Sequence, residues 1–153
     1  MSFVLKSSSF KNGERIPVKH TCEGEDISPQ LTWEGVPQGT KSFALICDDP
    51  DAPMGTWVHW VVYNIPDSVN SLPEGVEKAD TVFGYIYQGR NSFGRIGYGG
   101  PCPPRGPAHR YFFKLYALDF VPALKAGATK EQVLNAISGH ILGTAELMGI
   151  YSR

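Results

Sequence analysis

One segment of the sequence, GRIGYGGPCPPRGP at residues 94–107, contains four prolines. Proline has no backbone N–H and a fixed φ, so it interrupts both the hydrogen bonds of a helix and the ladder of a central strand. The segment therefore predicts a long loop. A long irregular loop inside a compact domain is usually functional.

Turn-forming residues are frequent along the whole chain. It has 17 Gly and 12 Pro among 153 residues, about a fifth, against a usual share near 12%. They are spread through dipeptides such as Asn12-Gly13 and Gln38-Gly39. Dense turns between short apolar runs are typical of an antiparallel β protein. We find no internal repeat and no linker, and we predict a single domain over residues 1–153.

Two runs of β-branched and aromatic residues predict the main strands. The first, WVHWVVYNI at 57–65, is apolar on both faces, so it is predicted to be central and covered on both sides. By period-two alternation, one of its faces comprises Trp57, His59, Val61, Tyr63 and Ile65. The second run, RYFFKLYAL at 110–118, has one face made of Tyr111, Phe113, Leu115 and Ala117. Shorter strands are predicted at 41–48 and 82–87.

The end of the chain has the pattern of a helix. Thr129 followed by Gln132 is a capping box, which marks a helix start. Apolar residues then follow at helical spacing, namely Val133, Ile137, Ile141, Ala145 and Met148. We predict a long C-terminal helix here and a shorter one at 121–126. Strands first and helices last favour a sheet with helices packed on one side.

The charge balance argues against two classes of partner. Lys and Arg number 14, Asp and Glu 15, and the net charge is −1. Nucleic acid and anionic membranes both require clustered positive charge, so neither is predicted as the main partner. No apolar run is long enough to span a bilayer.

The cysteines and the first residues predict a location. Cys22, Cys47 and Cys102 are odd in number and form no CxxC pair, which argues against a disulfide framework and favours a reducing compartment. The sequence MSFVLKSSSF shows no pattern of a signal peptide. We therefore expect a cytoplasmic protein.

Polar residues are concentrated where the predicted strands end. Asp49 and Asp51 follow the strand at 41–48, His59 lies inside the first aromatic run, and His109 and Tyr111 open the second. If the strands are neighbours, these groups converge. A histidine near a carboxylate is favoured in its cationic form, and tyrosine hydroxyls and loop N–H groups donate to oxyanions. The set suits a small anion or a zwitterion.

Other interpretations of the same residues are open at this point. The aspartates can shape a proline-containing turn, and a lone histidine in an apolar strand is often a core residue. Asp and His also ligate metals, although no HExxH spacing is present. Cys102 near His109 could form a nucleophile and base, without any nucleophile motif to support it. Aromatic residues such as Trp57 are interpreted as core packing.

Two motifs resemble the signatures of the phosphatidylethanolamine-binding (Raf kinase inhibitor-like) family. The first is DPDAP at 49–53 with WVHW at 57–60, and the second is GPCPP at 100–104 with HRYFFKLY at 109–116. The flanking text, such as SPQLTW at 28–33, resembles the short bacterial and archaeal branch. The resemblance covers nearly the whole chain.

The resemblance implies a mainly β, Greek-key fold with a large central antiparallel sheet, a smaller sheet and peripheral helices, including a C-terminal one. It implies a pocket for phosphate-like anions such as phosphoethanolamine, lined by Asp49, Asp51, His59, Gly100, Pro101, Cys102, Pro103, His109 and Tyr111. His59, His109 and Tyr111 are expected to form its floor, with Asp49 orienting or charging an imidazole.

The functional expectation is a binding protein, without a metal or cofactor, and not an enzyme. A regulated kinase or protease is the expected kind of protein partner, and a homodimer is a related expectation. The alternative is a hydrolase acting on a phosphorylated or ester substrate.

Overall fold

The architecture is built around one strand, Ser42–Asp49, whose eight residues are all buried. In the computed structural model, which describes residues 2–153, this strand pairs antiparallel with Trp57–Pro66 on one side and with His109–Leu118 on the other. Both aromatic runs are therefore neighbours of the same strand, which brings their polar ends to one edge of the sheet.

The strands form two antiparallel sheets. They are β1 (Val4–Lys6), β2 (Leu31–Glu34), β3 (Ser42–Asp49), β4 (Trp57–Pro66), β5 (Ser71–Leu72), β6 (Thr81–Val82), β7 (Ile86–Gln88), β8 (His109–Leu118) and β9 (Ile141–Tyr151). The large sheet has the order β6-β7-β4-β3-β8-β9 and the small one β1-β2-β5. Within residues 2–153, one α-helix, α1 (Lys130–Ile137), and a 3-10 turn at Val18–His20 complete the regular structure. The predicted mainly β fold with a large and a smaller sheet is confirmed.

Apolar side chains cover both faces of the large sheet. Trp33 of β2 and Trp60 of β4 belong to the core between the two sheets. On the other face, Val61 packs with Val133 and Ile137 of α1. Burial on both sides explains why the middle of β3 and most of β4 are apolar and do not alternate with polar residues.

The alternation predicted for β4 is wrong at both ends. At its start, a register shift puts Val58 in the same core as Val61, and not on the predicted face with Trp60. Asn64 has a φ of 57°, in the left-handed region. This residue reverses the direction of the next side chain. Ile65 therefore packs in the same core as Trp60, whereas Val61 packs in the core on the opposite face of the sheet. In β8 the predicted alternation is confirmed, because Tyr111, Phe113, Leu115 and Ala117 are all buried.

The predicted helix start is confirmed, but the predicted helix length is wrong. The Thr129 side chain accepts a hydrogen bond from the N–H of Gln132, whose side chain in turn accepts from the N–H of Thr129. The helix ends at Ile137, and Gly139, with a φ of 82°, turns the chain away from it.

The chain continues as strand β9 and not as a helix. Its buried residues recur every second position, at Ala145, Leu147 and Tyr151 among others, and it pairs with the full length of β8. The spacing of Ile141, Ala145 and Met148 was therefore misread as helical. The predicted short helix at 121–126 is also wrong, because these residues form no helix in the structure.

Two further expectations concern the middle of the chain. The predicted strand at 82–87 is a hairpin of β6 and β7 with its turn at 83–85. The proline-rich segment 94–107 is a loop, as predicted, with an isolated bridge between Arg90 and Ile96.

The odd cysteine count argued against a disulfide framework, but the structure contains a disulfide. Cys22 and Cys102 form a disulfide with their Cα atoms 5.4 Å apart, across 80 positions of sequence. Cys47 is the free cysteine among the described residues and is buried in β3. The odd number of cysteines did not predict this disulfide, because the pairing depends on where two distant loops meet. The sequence spacing of the cysteines does not reveal that.

Residues 2–153 contain no helix with the length and apolar character required to cross a membrane.

Candidate ligand-binding site

A cavity of about 200 Å³ lies where β3 ends and β8 begins. Six of the nine residues predicted for the pocket line it: Asp49, His59, Cys102, Pro103, His109 and Tyr111. The antiparallel pairing of β3 with β8 and β4 explains the convergence of Asp49, His59, His109 and Tyr111, since these three strands reach the same end of the sheet.

Asp49 and His109 form a hydrogen-bonded pair in the wall of the cavity. The Nδ1–H of His109 donates to Oδ2 of Asp49 at 2.7 Å. The Asp49 side chain is only 3% exposed, and that of His109 is 13% exposed. With Nδ1 held by the carboxylate, Nε2 is the nitrogen that His109 offers to a ligand.

His59 is held by a backbone carbonyl. A register shift leaves it without a partner in β3, because Val58 lies opposite Asp48 and Trp60 opposite Cys47. Its Nδ1 lies 2.6 Å from the carbonyl oxygen of Gly99. A carbonyl oxygen can only accept, so Nδ1 carries a proton and Nε2 is the nitrogen left for the cavity.

The charge of His59 differs from the sequence-based expectation. Burial lowers the pKa of His59 below its ordinary value, and this effect outweighs the carbonyl of Gly99 and the charge of Asp49, which act in the opposite direction. The ring is therefore favoured in its neutral form, although the Asp49 carboxylate acts towards the cationic form as expected.

Tyr111 completes the polar floor. Its ring meets that of His59 edge to face, with centroids 5.2 Å apart. Burial, and then the negative charge of Asp49, raise the pKa of the Tyr111 hydroxyl. The hydroxyl stays protonated and can donate a hydrogen bond to an anion.

Asp51 lies outside the cavity wall, where it forms hydrogen bonds with Arg110. Its carboxylate accepts from the backbone N–H of Arg110 at 2.9 Å and from its guanidinium at 2.9 and 2.8 Å. These bonds lower the pKa of Asp51 to about 2. The resemblance placed Asp51 in the pocket, but the structure places it where it fixes the start of β8.

Gly100 and Pro101 lie behind the wall. The N–H of Gly100 donates to Oδ1 of Asp26 at 2.7 Å, and the carbonyl of Pro101 accepts from the N–H of Cys22. A Cβ on Gly100 would lie 2.1 Å from the carbonyl oxygen of His20. Glycine is required here for this close approach, and the two residues hold the loop that Cys102 and Pro103 present to the cavity.

The sequence interpretation missed six lining residues, namely Ala52, Pro53, Met54, Trp57, Phe93 and Pro104. Trp57 stands in the quoted motif but was interpreted as core. Phe93 packs edge to face on both Trp57 and His59, at 5.4 and 5.5 Å between centroids. It lies in a loop with no periodic pattern, so no sequence signal pointed to it.

The remaining histidines, His20 and His140, have structural contacts. His20 is buried and bonded to the carbonyl of Ile27 and the hydroxyl of Ser9. His140 is exposed, pairs with Asp119 and stacks on Phe120. Residues 2–153 contain no group of three or more His, Cys, Asp or Glu side chains arranged to hold a metal ion.

Sequence comparison identifies the family. The family model for phosphatidylethanolamine-binding protein matches residues 6–152. The UPF0098 protein of Methanothermobacter thermautotrophicus is 54% identical over 149 residues, covering 97% of this chain and 98% of the relative. The UPF0098 protein of Aquifex aeolicus is 56% identical over 149 residues, covering 96% and 86%.

Solved structures show the same fold. A putative phosphatidylethanolamine-binding protein homologue of Chlamydia trachomatis, CT736, superposes with a TM-score of 0.91 at 46% identity, covering 99% of this chain and 98% of that one. YbcL of E. coli, described as a member of the mammalian family, gives a TM-score of 0.91 at 39% identity, covering 100% and 99%. On sequence and fold together, the chain belongs to the phosphatidylethanolamine-binding protein family.

Proposed function

We propose that the chain binds a small ligand with a phosphate-like anionic head group, such as phosphoethanolamine, in the cavity of His59, His109 and Tyr111. The observation that supports this most directly is the convergence of two imidazoles and a phenol on one cavity, with the Asp49 carboxylate hydrogen-bonded to His109.

The size of the cavity suits a head group. Its volume of about 200 Å³ is below the roughly 300–1,000 Å³ of pockets that enclose drug-sized ligands. A phosphate and a few further heavy atoms fit. The remainder of a longer ligand would extend along the aromatic side chains Trp57 and Phe93, which also line the cavity.

The tautomers of the two histidines determine whether each ring must be protonated before it can donate a hydrogen bond to an anion. In the neutral form each ring uses its proton on Nδ1, so Nε2 presents a lone pair to the cavity. Only the protonated ring donates from Nε2. Anion binding is therefore expected to take up a proton at His59, whose neutral form burial favours.

Nuclear magnetic resonance of the histidine rings tests the proposal. Inorganic phosphate and phosphoethanolamine at millimolar concentration should shift the imidazole signals of His59 and His109 and leave those of the exposed His140 in place. His59→Gln and His109→Gln should each abolish or strongly weaken binding, whereas His140→Gln should not. Unchanged spectra in the wild-type protein would rule the proposal out.

A hydrolase is the second candidate, because a carboxylate that holds an imidazole is also the arrangement of a general base. Against it, Cys102 is bound in a disulfide and is no nucleophile. Chromogenic phosphate and carboxylate esters distinguish the two functions. Turnover by the wild-type protein that disappears in His109→Ala would favour the enzyme.

Regulation of a kinase or protease, self-association into a dimer and a cytoplasmic location stay predictions from the family resemblance and the sequence. Co-purification with tagged protein, analytical sizing and cell fractionation test them separately.

A further inference from the structure

One covalent bond ties the wall of the cavity to a distant segment of the chain. Cys102 lines the cavity and is joined to Cys22, which follows the 3-10 turn at Val18–His20. Both cysteines are exposed. A small thiol can therefore reach the disulfide from solvent, unlike the buried Cys47.

Few other contacts hold the part of the cavity wall that is formed by Cys102, Pro103 and Pro104. The carbonyl of Pro101 accepts from the N–H of Cys22, and the carbonyl of Pro103 accepts from Nε of Arg153 at 2.6 Å. Residues 104–107 are exposed and lie outside any strand or helix. Proline provides no N–H for further backbone bonds, so the disulfide is the strongest attachment of this wall.

Building on the proposed function, we infer that the redox state of the Cys22–Cys102 disulfide controls how tightly the cavity binds its ligand. We call this disulfide the latch. A dithiol reductant opens it by thiol–disulfide exchange. One thiolate attacks a protein sulfur and forms a mixed disulfide, and the second thiol then displaces the protein. The products are two protein thiols and the oxidised, cyclic reductant.

Opening the latch loosens the side of the cavity formed by Cys102, Pro103 and Pro104. A mobile wall must be ordered again when a ligand binds, and that ordering reduces affinity. Reduction is expected to weaken the binding of inorganic phosphate roughly 3- to 10-fold. By thermodynamic reciprocity, saturating phosphate should make the disulfide harder to reduce by the same factor.

The first experiment titrates inorganic phosphate into the oxidised protein, into the protein reduced with dithiothreitol, and into Cys22→Ser/Cys102→Ser. The imidazole signal of His109 reports binding, and the amide signals of β3 and β8 report that the fold is intact. The reduced protein and the double variant should bind equally weakly, and dithiothreitol should have no effect on the variant. Equal affinity in all three forms would overturn the inference.

The second experiment requires no variant. The equilibrium between oxidised and reduced wild-type protein is measured against dithiothreitol by thiol labelling, with and without saturating phosphate. A 3- to 10-fold shift supports the latch, and no shift overturns it.

A failure of the proposed function can be recognised separately. If phosphate binds no form of the protein, the proposed function fails. The latch is then decided by ¹⁵N relaxation of the backbone N–H groups of Gly100, Cys102, Arg105 and Gly106. Increased mobility after reduction supports it, and unchanged mobility overturns it.

Discussion

Nδ1 of His109 and Oδ2 of Asp49 lie 2.7 Å apart, although 60 positions of sequence separate the two residues. Asp49 is the last residue of β3 and His109 the first of β8, and the antiparallel pairing of these strands brings the two ends together. A hydrogen bond to a carboxylate is stronger than one between neutral groups. The pair fixes the orientation of the ring that offers Nε2 to the cavity.

Asp49→Asn is expected to weaken phosphate binding by roughly 10-fold or more, because a hydrogen bond to a charged group contributes about 1.5–3 kcal/mol. The measurement is a phosphate titration followed on the imidazole signals. Asp119→Asn is the matched control, since Asp119 forms a similar pair with His140 at 2.8 Å on the exposed surface. Equal losses in both variants would contradict a specific role for Asp49.

Asp51 is expected to titrate at a pKa of about 2, below its ordinary value of 3.8, because the Arg110 side chain donates to its carboxylate. Arg110→Ala should raise the pKa of Asp51 towards 3.8, measured on the carboxyl carbon by nuclear magnetic resonance. A lowered carboxyl pKa stabilises the fold above pH 3.8, and that contribution is lost as the pH falls towards 2. An unchanged pKa of Asp51 in Arg110→Ala would show that the pair does not exist in solution.

The stability of the protein is expected to fall as the pH drops below about 6.5, the ordinary histidine value. Burial lowers the pKa of both His59 and His20. Between that lowered pKa and 6.5 the unfolded chain binds more protons than the folded one, so the free energy of unfolding increases with pH in this window.

Urea denaturation at pH 7.5 and pH 5.5 measures the effect. His59→Gln removes one of the two groups and should reduce the difference between the two pH values. The same difference in the variant and in the wild type would assign the effect to other groups.

Reduction of the disulfide is expected to lower the free energy of unfolding by about 2–4 kcal/mol, because the bond closes a long loop in the unfolded chain. Denaturation with and without dithiothreitol measures this loss. Cys47→Ala should show the same loss on reduction, since Cys47 is free and buried. A denaturation midpoint that is the same with and without dithiothreitol would contradict the prediction.

The sequence predicted the strands well where a simple period operates. β8 alternates from Tyr111 to Ala117, and the four inward residues of this stretch are buried as expected. In β4 the alternation failed at Ile65, because Asn64 adopts a left-handed backbone that a period of two does not anticipate. For β9, apolar residues spaced by three or four fitted a helix as well as a strand. The pairing of this segment with β8 makes it a strand and not a helix.

The candidate site was predictable in its polar residues and not in its surroundings. His59 and His109 stand in motifs, so the sequence pointed to them directly. Phe93 comes from an irregular loop, and Cys102 is bonded to a residue 80 positions away. Such contacts depend on three-dimensional proximity, which one sequence does not encode in its spacing. The neutral state that burial favours for His59 was likewise missed, because desolvation depends on the packed structure.

The bond between Cys22 and Cys102 encloses β2 to β7 in a covalent ring. The hairpin tip at Phe83, which is 52% exposed, lies inside that ring and is open to a protease. A single cut there leaves both fragments attached to each other. Nicked molecules would migrate as one band on a denaturing gel and separate into two only after a reducing agent is added.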